Sequence, residues 1–256
     1  MAGSVIIGIV LAVFIFFNAQ NAAAWGSAAH LFVASNLIND YLGQLGKISA
    51  LLYANIDAFF YGNIAPDITI GKKYCNPLNH CHNWIVAFSL LEKARGNREK
   101  AFVYGYFSHI ASDVAAHQYF IRPKLEKNRF TSEILHSIIE SKAELMLPSR
   151  YTILSKAVIN KKYPDLDKLL KNSLYDTLFS FSTSKFLFRQ TVNLFPSHEY
   201  SSEIGNLFSK KELYNYLALS IDFTKDILIN GNRSAVLSKT AVISKPSHRF
   251  LNHLAR

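Results

Sequence analysis

A chain of 256 residues with 50% hydrophobic and only 18% charged side chains has ample material for a buried core, which excludes an intrinsically disordered protein. Its 28 Lys and Arg against 18 Asp and Glu give a formal net charge of +10. Such a field favours anionic partners, whether phospholipid head groups, nucleic acid or other phosphoesters, and by itself selects none of them.

Residues 1–24 carry no Lys, Arg, Asp or Glu, and Val5 to Phe17 is a compact apolar run. Thirteen apolar residues fall short of the roughly 20 that a spanning helix needs. With small residues at Ala22, Ala23 and Ala24, the segment reads as a secretory signal peptide, cleaved after Ala24 to leave an exported protein, periplasmic or secreted, that begins at Trp25. From Ser27 onward apolar residues recur at intervals of three and four, while alternating strand-like runs are scarce. Helices are predicted near 27–43, 47–61, 83–94, 98–121, 131–146, 165–190 with breaks, and 209–229. Between the second and third of these lies a long loop, Gly62 to Asn83, rich in Pro, Gly and Asn and holding Asp67, His80 and His82. Long loops in compact domains often carry function. Cys75 and Cys81 can close a short loop in an oxidising compartment, or Cys81 can stay reduced between His80 and His82.

Six of the nine histidines precede residue 140 and are interleaved with carboxylates. In GYFSHIASDVAAHQY, His109, Asp113 and His117 stand four residues apart, so on a helix they project from one stripe. Imidazole and carboxylate ligands on such a stripe suit Zn²⁺, because a helix fixes their separation before the ion arrives. His136 and Glu140 repeat the spacing on a second predicted helix. At the predicted mature terminus the freed α-amine of Trp25, with an unperturbed pKa near 8, and its carbonyl can chelate one ion, with His30 one turn into the next helix completing the grip. An uncleaved chain offers only an amide nitrogen there, a poor ligand.

The segments WGSAAH, NIAPD, the His before a Trp in HCHNW, GYFSHIASDVAAH and HSIIE, in that order over residues 25–146, resemble the zinc-dependent phospholipase C family, which is related to the S1/P1-type nucleases. The resemblance implies an all-α multi-helix bundle with up to three zinc ions in a cleft. One zinc would take Asp67, His80 or His82, His109 and Asp113; His82 is favoured because it lies nearer Trp84. A second would take His117, His136 and Glu140. The third would take Trp25 and His30, bridged by Asp113. Only Val114, Ala115 and Ala116 separate Asp113 from His117, shorter than in the best-known members and more like the corresponding domain of glycosylphosphatidylinositol-specific phospholipase D. The second zinc is therefore expected to sit differently.

The expected organisation is a signal peptide over 1–24, a zinc-binding catalytic core over 25–150, and a C-terminal helical region over 151–256 packed on that core. The expected activity is zinc-dependent hydrolysis of a phosphodiester, with phospholipid the leading substrate, a membrane surface a possible partner, and Asp67 orienting the attacking water or acting as base. The alternatives are an S1/P1-like single-strand nuclease acting on nucleic acid and a non-catalytic, membrane-tethered zinc-binding helical protein. His198, His248 and His253 lack a carboxylate at helical spacing and read as surface residues, and Arg122 and Lys124 read as solvated charges.

Overall fold

The computed structural model describes residues 25–69, 80–127, 132–174, 180–196 and 207–241. The predicted leader, Cys75 and any pairing it makes, and His198, His248 and His253 lie outside the described residues. Apolar spacing of three and four becomes helix throughout, and no strand occurs among the described residues, so the all-α expectation holds. The helices are α1 Ser27–Tyr41, α2 Ser49–Ala54, α3 Ile56–Gly62, α4 Trp84–Lys93, α5 Asn97–Ala115, α6 Arg122–Lys127, α7 Ser132–Leu145, α8 Ser149–Asn160, α9 Pro164–Lys171, α10 Phe181–Leu194 and α11 Lys210–Asn230.

Fourteen of the nineteen residues of α5 are buried, so this helix is covered on nearly every side and forms the axis of the bundle. It packs chiefly against α3 and α11. On the α3 side the backbones meet with no side chain between them. A Cβ built on Gly105 would stand 2.1 Å from the Phe59 carbonyl oxygen, and one on Gly62 would stand 2.0 Å from that of Phe102. On the α11 side small hydroxyls fill the seam: Ser220 Oγ donates to the Ser112 carbonyl at 3.5 Å, and Thr224 Oγ1 to that of Ser108 at 3.4 Å. Helix starts follow local chemistry, with Asn83, Ser180 and Ser209 each accepting from a backbone N–H of the first turn.

Three predicted boundaries change. The predicted 47–61 helix divides at Asn55, whose φ of −130° and ψ of 39° are not helical. The predicted 98–121 helix is α only to Ala115; Ala116–Ile121 is a π-helical turn, after which α6 continues the chain. Helix α8 lies where no helix was predicted. Its Thr152, Ile153, Val158 and Ile159 are β-branched and weak helix formers, so packing against α1 and α10 carries it. In the Gly62–Asn83 loop, Pro66 opens a short 3-10 turn, Ala65–Ile68, which fixes Asp67.

Replacing Gly105 by Ala drives a methyl into backbone, and backbone cannot swing aside. The substitution is expected to lower the unfolding free energy by about 1–3 kcal/mol in chemical denaturation, although Ala is the better helix former by about 1 kcal/mol. Gly43→Ala, where nothing lies within 4 Å, is the control expected to change little.

Candidate metal centre

His109 and Asp113 sit one turn apart on the fully enclosed part of α5, both with no exposed surface. The α3–α5 approach brings the Asn63 carbonyl to 2.8 Å from His109 Nδ1. An N–H on Nδ1 donates to that carbonyl, which turns the Nε2 lone pair inward. Burial, helped by the neighbouring His30, lowers the His109 pKa from 6.5 to about 4, so the ring is neutral near pH 7. His82 enters from the loop before α4. The Tyr106 hydroxyl anchors that loop by donating to the Cys81 carbonyl at 2.5 Å.

Four donor atoms converge. His82 Nε2 lies 3.0 Å from His109 Nε2, 3.3 Å from Asp67 Oδ1 and 3.1 Å from Asp113 Oδ2, while His109 Nε2 lies 3.3 Å from Asp113 Oδ2 and 3.9 Å from Asp67 Oδ1. Donors bound tetrahedrally to zinc at about 2.0–2.1 Å stand about 3.3 Å apart, and these five separations, 3.0 to 3.9 Å, lie around that value. Two imidazoles and two carboxylates are also a fitting donor set for that ion.

Asp113 looks two ways. While Oδ2 faces His82 and His109, Oδ1 stands 3.2 Å from Nε2 of His30 on α1, whose ring stacks on that of His109 at 3.7 Å. Neither Asp113 oxygen nor either His30 ring nitrogen makes a hydrogen bond, though all are buried. Such groups are costly unless something polar or cationic engages them, and a bridged pair of cations would satisfy both oxygens. Burial pushes the Asp113 carboxyl up, but the His109 and His30 imidazoles outweigh it and hold the group well below the usual carboxylate range.

The start of α1 is held from a distance. Glu144 on α7 accepts from the backbone N–H of Ala28 at 3.0 Å and of Ala29 at 2.7 Å, supplying the cap that Gly26 cannot. A Cβ on Gly26 would come within 2.4 Å of Glu144 Cδ, so a larger residue there would push this carboxylate aside. Burial raises the Glu144 pKa to about 7, against the lowering effect of the two N–H donors. Trp25 is fully buried, stacks on Phe120 at 5.0 Å, and donates its indole N–H to Ser220 Oγ at 3.1 Å. Sequence reasoning missed Glu144. Its one signal was its place a turn beyond Glu140, on the helix already singled out for ligands.

His117 falls in the π-helical turn and faces His136 of α7, their rings meeting edge to face at 5.2 Å. His117 and His136, grouped together from the sequence, therefore stand together in the structure. Glu140 is half-buried one turn beyond His136. Of the two loop histidines, His82 reaches the tetrad. The Nδ1 of His80 accepts from the His82 backbone N–H at 3.1 Å, and the buried Cys81 places its Sγ 3.3 Å from His82 Nδ1.

The family model for zinc-dependent phospholipase C matches residues 29–188. The chain belongs to that family. No match was found among curated proteins or solved structures. Family membership makes the protein a zinc-dependent hydrolase of the phospholipase C type, and the matched stretch runs past the residues that carried the sequence resemblance to include α8 and α9.

Because Asp113 faces both halves of the centre, Asp113→Asn is expected to release at least one zinc per chain, measured by metal analysis after dialysis; full retention would refute the bridging role. In the metal-free protein, NMR is expected to find His109 titrating near pH 4. Since the unfolded chain takes that proton first, near pH 6.5, this group's contribution to stability is present above 6.5 and lost as pH falls toward 4.

Proposed function

We propose that the protein is an exported phospholipase C-type enzyme that hydrolyses the phosphodiester of a phospholipid and releases its phosphorylated head group. The carrying observation is the close approach of the ligand atoms of Asp67 and Asp113 to those of His82 and His109, with His30 on the second oxygen of Asp113. Zinc held by such residues neutralises phosphate oxygens, brings the pKa of water to near 7 and eases departure of an alkoxide.

The chain's own groups divide the remaining work. His109, fixed by Asn63, offers a neutral ring nitrogen, and the ionised Asp113 brings negative charge to the interior. Asp67 has the least buried side chain of the four, at 7% exposure against 3% for His82 and none for the others. That position at the rim supports a role in orienting the attacking water or accepting its proton. In this reading His117, His136 and Glu140 hold a second ion, and cleavage after Ala24 frees the Trp25 amine to join His30 and Asp113 around a third. The clamp of Glu144 on α1 supports the latter, because it fixes the chain just after Trp25. Family membership and the +10 charge favour a phospholipid.

The test is to incubate zinc-loaded exported protein, its amino terminus sequenced, with phosphatidylcholine and separately with single-stranded DNA. Head-group release is expected, abolished by chelation and reduced at least about 100-fold in Asp67→Asn. Nucleotide release without head-group release would overturn the phospholipid reading.

A further inference from the structure

On the flank of the bundle a groove of about 390 Å³ opens between the α8–α9 connection and α10. Five cations, Lys161, Lys162, Lys171, Lys185 and Arg189, line it with a single carboxylate, Asp167. That carboxylate is already neutralised. Lys185 bridges it at 2.7 Å and the Tyr61 hydroxyl donates to it. Lys161 is likewise spent on Asp57 at 2.7 Å. Lys162, Lys171 and Arg189 have no carboxylate partner among the described residues, so the groove presents an uncompensated positive field.

Apolar surface stands beside this charge. Phe186 is 51% exposed on α10, with the Arg189 guanidinium 5.6 Å from its ring centroid, and Leu194 at the end of the same helix is 54% exposed. Lys171 lies 5.6 Å from the centroid of the Phe181 ring. A soluble phosphate would use the cations and ignore the aromatics. A lipid surface uses both, with phosphates above and apolar depth beneath.

The groove is separate from the metal centre. It is backed by Tyr163, which stacks on Tyr61 at 4.1 Å, and Tyr61 packs in turn on Phe102. Phe102 precedes His109 by seven residues of α5, about 10 Å along the helix.

We propose that this groove is a docking site for an anionic membrane surface, with Lys162, Lys171 and Arg189 meeting lipid phosphates and Phe186 entering the interface. The inference does not rest on the catalytic reading. A basic side chain at an anionic bilayer is worth about 1 kcal/mol, roughly fivefold in partition, so three together give about a hundredfold.

The experiment compares zinc-loaded wild type with Lys162→Glu/Lys171→Glu/Arg189→Glu and with Phe186→Ser. Cosedimentation is measured with vesicles of pure phosphatidylcholine and of equimolar phosphatidylcholine and phosphatidylglycerol. Wild type is expected to prefer the anionic vesicles, with binding falling as salt rises. The triple variant should lose about a hundredfold in partition and Phe186→Ser severalfold. Both should keep the wild-type helical spectrum and the wild-type turnover of a monomeric short-chain substrate. That last readout separates failure of docking from failure of the enzymatic reading, because vesicle partition is informative even if turnover is absent. Equal partition of wild type and triple variant would overturn the proposal. So would displacement by inorganic phosphate at constant ionic strength, which marks a small-anion site, or charge-dependent retention of single-stranded DNA without vesicle binding.

Discussion

Everything around the metal centre is referred to one contact, the backbone crossing of α3 and α5 at Gly62 and Gly105. Two helices can come this close only where neither carries a Cβ, and here each glycine would otherwise strike a carbonyl of the other helix. The closeness brings the Asn63 carbonyl within reach of His109, and that hydrogen bond sets which imidazole nitrogen faces the site. The turn that follows α3 then delivers Asp67 to the same place. Packing density and ligand geometry are thus one constraint seen from two sides.

The second constraint is charge in a dry interior. Asp113 has no access to water, yet its surroundings keep it ionised, and nitrogen atoms crowd it without hydrogen bonding to it. Glu144, also buried, is satisfied instead by two peptide N–H groups. The contrast separates the two acids: one is matched to a permanent donor pair and shapes the chain, while the lone pairs of the other are left open.

How much of this could be read from sequence depended on how local each signal was. His109 and Asp113 were legible because they sit at i, i+4 on one long helix, where period alone fixes their direction. Asp67 and His82 come from a loop with no period, and only their motifs pointed to them. Glu144 was illegible as a cap because the helix it caps begins 117 residues earlier, at Ser27. Helix α8 was hidden by β-branched residues that local propensity disfavours and tertiary packing overrides. The π turn that contains His117 leaves no composition signal, since it concerns hydrogen-bond register rather than residue type.

The holding of Trp25 and α1 has a bearing on biosynthesis. The indole is fastened by Ser220 and the first helical turn by Glu144, both of which leave the ribosome long after the residues they secure. Until then the earliest histidine of the centre belongs to a segment without its anchors, and these contacts are among the most distant in the chain. The geometry around His30 is therefore a property of the completed polypeptide, not of the nascent one.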